Sequence, residues 1–127
     1  PLLGRRLRLE SVHNAQEQAK TAAAAILGTA QPYAQIPWFW SDQYDLKLQI
    51  VGLSADHQQV VVRGEPESRS FAAFYLDEGR LCAVYAINSP REFMLSKKLI
   101  ASGARPDRKV LRDMSIPFKD IAESLGA

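Results

Sequence analysis

The stretch FAAFYLDEGRLCAVYAI, residues 71–87, decides the fold of this 127-residue chain. Aromatic, β-branched and other apolar residues fill both of its ends, which is typical of strands that reach a protein core. Asp77-Glu78-Gly79 separates the two ends, and a polar run that ends in glycine is a turn signal of the hairpin type. We therefore predict two antiparallel strands, Phe71–Leu76 and Arg80–Ile87, joined by a tight turn.

Two further segments have the pattern of strands. Leu46–Ile50 alternates apolar residues with lysine and glutamine, so one of its faces is apolar, and Gly52 ends it. Val60–Val62 is a short β-branched run that ends before Gly64. Four strands in succession with short turns predict an antiparallel sheet. Met114–Pro117 is either a further strand at the sheet edge or a loop.

Helix signals follow the predicted strands. Ser89-Pro90-Arg91-Glu92 offers an N-cap serine, a proline at the first helical position and a glutamate at N3. We predict a helix from there to about Ser102, closed by Gly103. Apolar residues at helical spacing predict a last short helix; they are Phe118, Ile121, Ala122 and Leu125. The predicted fold class is α+β, with an antiparallel sheet of about four to five strands and flanking helices.

The N-terminal part of the chain has a different pattern. Arg6–Glu10 alternates polar and apolar residues, which predicts a short strand with one buried face. An alanine-rich helix follows, capped by Ser11 or Asn14 and ended by Gly28. Thr29–Pro37 contains two prolines and is predicted to connect two subdomains.

Composition limits the function classes. A hydrophobic share of 46% suits one globular core, and a net charge of +2 with scattered cations gives no nucleic-acid-binding pattern. The one cysteine, Cys82, excludes an intrachain disulfide and a thiolate metal cluster. We expect Cys82 to be a small buried residue in a protein of the reducing cytoplasm. We predict no membrane span, because no apolar run approaches about 18 residues.

Both tryptophans lie in the run Pro37-Trp38-Phe39-Trp40. In an extended segment, side chains two residues apart face the same way, so Trp38 and Trp40 are predicted to form one wall. Phe39 is predicted to face the opposite way. The alternative is that both indoles are core residues that anchor the connector to the sheet.

Several other chemistries lack a pattern in this sequence. Ser41 and His57 do not indicate a hydrolase, because the nucleophile-elbow motif is absent. One cysteine and two distant histidines match no metal-ligand spacing. The G-x-G-x-x-G fingerprint of dinucleotide-binding folds is also absent, so we expect no tight dinucleotide binding by this chain alone. No catalytic residue and no metal ligand is predicted.

A family resemblance is carried by motifs in a consistent order. These are Arg8–Lys20, Pro37–Tyr44, Tyr44–Leu53, Val61–Gly64, Phe71–Gly79 and Ala86–Phe93. Together they resemble the C-terminal end of the flavoprotein ferredoxin reductases that serve bacterial oxygenases. The resemblance covers nearly the whole chain and is loose only after about Gly103.

The resemblance implies a parent enzyme that takes a hydride from NAD(P)H onto FAD and passes electrons singly to an iron-sulfur ferredoxin. Residues 1–28 are then expected to be the terminal strand and helix of a truncated FAD-binding domain, and residues 29–127 the reductase C-terminal domain. Val12, at the helix start, is implied to contact the isoalloxazine edge through its backbone. Trp40 is implied to lie against the flavin, near the docking face for the ferredoxin.

Charged side chains allow two interpretations. Basic residues either steer an acidic ferredoxin to the domain or form an ordinary solvated face; they are Arg63, Arg69, Arg80, Arg91, Lys97 and Lys98. His13 is expected to be a surface or capping residue rather than a proton carrier.

By itself the chain is expected to be catalytically inactive and not to retain FAD, with NAD(P)H bound in a domain that it lacks. The alternative function is a stand-alone protein-interaction or dimerisation module in which the tryptophan segment grips a partner. The start at Pro1, without a methionine and inside what resembles a domain, favours a truncated chain. Residues 1 to about 27 are therefore predicted to pack on a second copy as a homodimer, or to exchange between chains.

Overall fold

Five antiparallel strands form one open sheet in the computed structural model, which describes residues 6–127. In chain order they are β1 (Trp38–Gln43), β2 (Leu46–Gly52), β3 (Gln59–Glu65), β4 (Ser70–Asp77) and β5 (Arg80–Ile87). Across the sheet the order is β1-β2-β5-β4-β3, so β1 and β3 are the two edges. The predicted α+β fold is confirmed.

The β4–β5 hairpin is the pair that the sequence predicts. Asp77 pairs with Arg80, which leaves Glu78 and Gly79 as the turn. Both turn residues have positive φ angles, 48° and 82°, and this combination matches the right-handed twist of the flanking strands. The predicted hairpin is therefore confirmed, and a β-bulge at Tyr75 and Leu76 adds local twist.

The fifth strand lies where the sequence did not indicate one. β1 pairs with β2 through a tight turn at Tyr44 and Asp45, with Trp38 opposite Val51. Met114–Pro117, the other candidate for a sheet edge, contains no strand. β1 is a strand because β2 supplies the partner for its backbone groups.

Within residues 6–127, four α-helices and one short 3-10 helix, Pro66–Ser68, accompany the sheet. The α-helices are α1 (Val12–Ile26), α2 (Pro90–Ala101), α3 (Arg108–Arg112) and α4 (Phe118–Ser124). Ser11 rather than Asn14 caps α1, since its side chain accepts a hydrogen bond from the Asn14 N–H. α2 and α4 confirm the predictions. The sequence did not predict α3, which is only about one and a half turns long. Its N-cap is Asp107, whose carboxylate accepts from two backbone N–H groups.

The core lies between one face of the sheet and α2, α3 and α4. Alternate residues of β4 point to it, and its largest fully buried side chains include Phe74, Leu76, Leu81, Leu99 and Leu111. Phe74 packs on Phe118 of α4 with ring centroids 5.2 Å apart. The opposite face of the sheet has no helix on it among α2 to α4, so its side chains are only partly covered.

Arg63 of β3 is a buried cation, with 3% of its surface exposed. Its guanidinium donates to the carbonyl oxygens of Leu111 at 3.0 Å and Asp113 at 2.8 Å, and also to that of Ile116. The Arg63 Nε lies 3.8 Å from a carboxylate oxygen of Glu92. Arg63 thus ties β3 to the chain that leaves α3, and the prediction that it is a solvated or docking residue is wrong.

The predicted strand at Arg6–Glu10 is also wrong for this chain, because these residues have no strand conformation. A strand needs a neighbour for its N–H and C=O groups, and no described strand pairs with this segment. Residues 1–5, which begin the predicted FAD-domain segment, lie outside the described residues. None of the helices in residues 6–127 is long and apolar enough to cross a membrane.

Candidate functional site

An aromatic cluster joins the start of α1 to the edge of the sheet. The Trp38 ring lies at its centre, with centroids 5.4 Å from Trp40, 5.1 Å from His13 and 5.9 Å from Phe93. We call these four residues the aromatic wall. It combines residues of α1, β1 and α2, and the predicted pairing of Trp38 and Trp40 on one face is confirmed.

The two tryptophans differ in exposure. Trp38 is half-buried and packs against the core, as the core interpretation predicts for it. Trp40 keeps 37% of its surface exposed, although it stacks beside Trp38. An indole with this exposure offers apolar contact surface. Trp40 is therefore the part of the wall that is available to a ligand.

Phe39 faces the other side of β1, as the strand alternation predicts. It lines an apolar cleft of about 390 Å³ together with Leu9 of the N-terminal segment and Ile50 of β2. Phe39 is 43% exposed, similar to Trp40. The two side chains thus offer comparable apolar surface on opposite faces of one strand.

Lys97 places a positive charge on the aromatic wall. Its Nζ lies 4.3 Å from the Trp38 ring centroid and 4.5 Å from that of Phe93. An ammonium over two aromatic faces is held by cation–π attraction. Burial lowers the pKa of Lys97 from its ordinary value. Sequence reasoning noted Lys97 only as one basic residue among several, because the i, i+4 spacing from Phe93 does not reveal the contact with β1.

The start of α1 reaches the same wall. Val12 is the first helical residue and is 54% exposed. The Ser11 side chain accepts from the Asn14 N–H, and no acceptor for the Val12 N–H lies in the described part of the chain. A helix start with a free N–H carries partial positive charge. The exposed edge of this helix can therefore donate to an electron-rich group.

His13 connects this helix start to Trp38. Its Nδ1 is buried and has no hydrogen-bond partner within residues 6–127. Burial is the main cause that lowers the pKa of His13; Glu17 opposes it, and Lys97 and Lys20 add to it. His13 is thus a packed residue against Trp38, and the expectation of a plain surface or capping residue is corrected by its ring contact.

Asn14 fixes the position of α1. It is buried, its Nδ2 donates to the Leu9 carbonyl at 2.7 Å, and its Oδ1 accepts from Tyr33 Oη at 2.9 Å. Gln18 also donates to the Asn14 Oδ1. The residue that the sequence offered as a cap instead ties the segments before and after α1 together. This network holds the helix start beside β1.

The other residues considered from the sequence do not assemble into a catalytic site. Ser41 Oγ accepts from the side chain of Gln43, while the His57 ring packs edge-on against Tyr75. Cys82 is only half-buried, its thiol donates to the Tyr75 carbonyl, and burial raises its pKa. Within residues 6–127, no group of three His, Cys, Asp or Glu side chains is placed to hold a metal ion.

The aromatic wall and the groups around it suit a planar ring that gains negative charge. Trp40 provides exposed π surface, the Val12 N–H has no acceptor within residues 6–127, and Lys97 adds positive charge. The unpartnered Nδ1 of His13 is a further polar atom in this region. These groups fit the edge of a flavin, which gains negative charge when it is reduced.

Comparison with known proteins gives consistent matches. The family described as "Reductase C-terminal" matches residues 38–122. The ferredoxin reductase subunit of the 5,5'-dehydrodivanillate O-demethylase of Sphingobium sp. is 46% identical over 123 residues, which is 97% of this chain and 30% of that protein. Putidaredoxin reductase of Pseudomonas putida is 42% identical over 120 residues, 94% of this chain and 28% of that protein.

A solved structure gives the same result. The covalent complex of putidaredoxin reductase with putidaredoxin contains a chain that is 40% identical and superposes with a TM-score of 0.91. The match covers 99% of this chain and 30% of that one. The chain thus spans about 30% of the length of the curated relatives that it matches. From the family match over β1 to α4, with these relatives, the chain belongs to the reductase C-terminal family and has the C-terminal domain of a ferredoxin reductase.

Proposed function

We propose that this chain is the part of an FAD-dependent NAD(P)H:ferredoxin reductase that covers the flavin and presents it to an iron-sulfur ferredoxin. The observation that carries the proposal is the aromatic wall, in which Trp38 lies between His13, at the start of α1, and the exposed Trp40. Relatives named ferredoxin reductase and putidaredoxin reductase support it. Residues 1–28 would then complete the FAD-binding domain, and residues 29–127 would form the C-terminal domain.

Two residues would contact FAD in this proposal. The backbone N–H of Val12 would donate to the ring edge, and the Trp40 indole would lie against the ring. FAD, when bound, supplies acceptance of a hydride from NAD(P)H and release of single electrons. The positive end of α1 and the Lys97 ammonium favour negative charge at this position, and Trp40 keeps water away from it.

Ferredoxin docking is proposed for the same region. Lys97 places its ammonium over the Trp38 ring, and Lys20, which is paired with Glu17, adds a second, partly neutralised cation that acts on His13. Such charges would attract an acidic ferredoxin and raise its association rate. The similar solved structure is a covalent complex of putidaredoxin reductase with putidaredoxin. The exposed Trp40 would keep the path from flavin to partner short.

The chain alone is proposed not to retain FAD or NAD(P)H. It has no glycine-rich dinucleotide fingerprint, so tight binding of the pyrophosphates of FAD and of NAD(P)H would belong to the remainder of the reductase. The half-buried, protonated thiol of Cys82 suits a reducing cytoplasm, where we propose that the reductase works. One wall of a site, without its other walls, does not catalyse.

Titration of FAD into the 127-residue chain tests the flavin contact. We expect weak quenching of tryptophan and flavin fluorescence, with Kd above about 100 µM, because only one wall is present. Trp40→Ala should abolish this quenching. Phe39→Ala is the matched control, since Phe39 is similarly exposed on the opposite face of β1. Equal quenching by the two variants would contradict the assignment of Trp40.

The complete reductase allows a second test. Trp40→Ala should slow single-electron transfer to ferredoxin by about tenfold or more, while flavin reduction by NAD(P)H stays within about twofold. Stopped-flow absorbance of the flavin and of the ferredoxin separates the two steps. A loss confined to flavin reduction would place Trp40 on the nicotinamide side and contradict the docking proposal.

A further inference from the structure

A second surface lies at the sheet edge away from the aromatic wall. The strand order places β1 at one edge and β3 at the other, so four strand spacings of about 4.8 Å, roughly 19 Å in all, separate them. Between β3 and α3 the chain forms an open cleft of about 610 Å³. We call this cleft the β3–α3 groove. Its chemistry differs from that of the aromatic wall.

One side of the groove is basic. Arg108, Lys109 and Arg112 of α3 line it, and within residues 6–127 none of the three has a carboxylate within 4.0 Å. One acidic residue, Asp113, also lines the groove. The carboxylates of the two nearby acidic residues accept hydrogen bonds from groups other than these cations. Asp107 accepts from the N–H groups of Lys109 and Val110, and Asp113 accepts from Ser115.

These hydrogen bonds are the main cause that lowers the pKa of Asp107 and of Asp113; the charges of Lys109 and Arg108 add to the effect on Asp107, and Arg63 to that on Asp113. Both carboxylates are therefore ionised, with Asp107 bonded to the start of α3 and Asp113 to Ser115 beyond its end. The three cations therefore remain without a direct ion pair in this part of the chain. Like charges on neighbouring turns of one short helix repel each other. An added anionic group would relieve this repulsion.

The other side of the groove is an open strand edge. Gln59, Val60 and Val61 of β3 line it, and β3 has a sheet partner on one side only, β4. No other described backbone group bonds to these three residues. An edge with free N–H and C=O groups is a template for a further strand.

We propose that the β3–α3 groove binds an extended acidic peptide segment of a partner protein by strand addition to β3. The segment's backbone would pair with the free edge of β3. Because alternate side chains of a strand share one face, its acidic residues would reach the three cations together. This proposal does not depend on the flavin contact proposed above.

The positive charges of α3 indicate what kind of partner binds in the β3–α3 groove. A second copy of this chain would place one set of α3 cations against another, and like charges across an interface cost free energy. A small phosphate compound would satisfy the cations but would leave the strand edge unpaired. Only an extended acidic segment uses both sides of the groove.

Fluorescence anisotropy with a labelled octapeptide of alternating glutamate and valine tests the proposal. We expect the 127-residue chain to bind this probe, with affinity falling at least tenfold between 50 and 300 mM salt. The variant Arg108→Glu/Arg112→Glu should lose at least tenfold in affinity. The matched control Arg91→Glu/Lys98→Glu reverses two exposed cations of α2 and should change affinity less than twofold.

Two further probes separate strand addition from simple charge attraction. The same peptide with N-methyl groups at alternate amides should bind at least tenfold more weakly, because it cannot pair along an edge. Amide shifts in NMR spectra should change at Gln59–Val61 and not at Trp38–Trp40. Equal binding of the N-methylated peptide, full competition by inorganic polyphosphate at equal charge concentration, or an equal loss in the α2 control would overturn the proposal.

Discussion

The sheet region, residues 38–127, and the N-terminal arm, residues 6–37, are held by different kinds of contact. All buried apolar residues lie in the sheet region, between Val51 and Ala122. The only buried residue of the arm is polar, Asn14. The sheet region therefore closes a core of its own. The arm is held by one hydrogen-bond network, by the His13–Trp38 ring contact and, at its end, by Ile36 packed on the core and the Pro37 carbonyl bonded to the Gly52 N–H.

The exposed apolar residues of the arm sharpen this difference. Ile26 is 87% exposed and Leu27 is 77% exposed at the end of α1. Such side chains add nothing to the chain's own core, so the arm gains little free energy from burial here. The arm has the properties of an element that is completed by contacts beyond this chain, as the proposed FAD-domain assignment and the predicted homodimer or arm exchange both require.

The largest expected effect comes from the core of the sheet region. Phe74→Ala should lower the free energy of unfolding by about 3–5 kcal/mol, because Phe74 is fully buried against Phe118 and the cavity cannot fill. Ile26→Ala in the arm also truncates a large apolar side chain, but an exposed one, and should change the free energy of unfolding by less than about 0.5 kcal/mol. Urea unfolding followed by circular dichroism measures both. Similar losses of unfolding free energy in the two variants would mean that the arm is packed into the core.

A smaller loss is expected when the buried cation of the sheet region is removed. Arg63→Met keeps the packed stem but leaves the carbonyls of Leu111, Asp113 and Ile116 without their donor. We expect a loss of about 2–3 kcal/mol. Arg69→Met is the control, because Arg69 pairs with Asp45 on the surface and such pairs are worth about 0–1 kcal/mol. If both variants unfold at the same urea concentration, Arg63 is not a structural tie.

Local signals predicted most of the sheet region. The β4–β5 hairpin followed from its turn residues, and α2 followed from Ser89-Pro90, because both depend on neighbours in sequence. α3 was missed, since a five-residue helix shows no apolar period. The burial of Arg63 could not be predicted, because its acceptors lie 48 to 53 residues further along the chain.

The site was predictable in part for the same reason. Period-two alternation placed Trp38 and Trp40 on one face before the strand itself was known. The contacts of Trp38 with His13 and Lys97 bring together three separate elements, so no local pattern shows them. The predicted strand at Arg6–Glu10 failed because strand formation needs a partner as well as alternation.

A smaller loss of stability than that of Arg63→Met is expected from a substitution in the arm, and it should be confined to the arm. Asn14→Ala removes the hydrogen bonds that join Leu9 and Tyr33 to α1, and we expect a local loss of about 1–2 kcal/mol without a change in the core. Hydrogen exchange should speed up about tenfold in residues 12–26 and stay unchanged in β4 and β5. Gln16→Ala, at an exposed position of the same helix, is the control.

Size-exclusion chromatography extends this test to the predicted arm exchange. If arms exchange between chains, Asn14→Ala should raise the dimer fraction at about 1 mM protein, because the arm leaves its own sheet more easily. Gln16→Ala should leave the dimer fraction unchanged. A monomer at all concentrations in both variants would contradict the exchange while leaving the local role of Asn14 intact.

The smallest expected effect is a pH dependence of the junction between arm and sheet. Burial against Trp38 lowers the pKa of His13 below its ordinary value of 6.5; Lys97 and Lys20 act in the same direction, and Glu17 opposes them. The unfolded chain therefore binds a proton more readily than the folded one, so stability rises with pH between the lowered pKa and 6.5 and is weakened below that window. The imidazole NMR signal of His13, identified by its loss in His13→Gln, should titrate below 6.5, and Trp38 fluorescence should change with it. Because packing against Trp38 is what lowers the pKa of His13, a midpoint at or above 6.5 would mean that His13 is solvated and that the arm does not rest on the aromatic wall in solution.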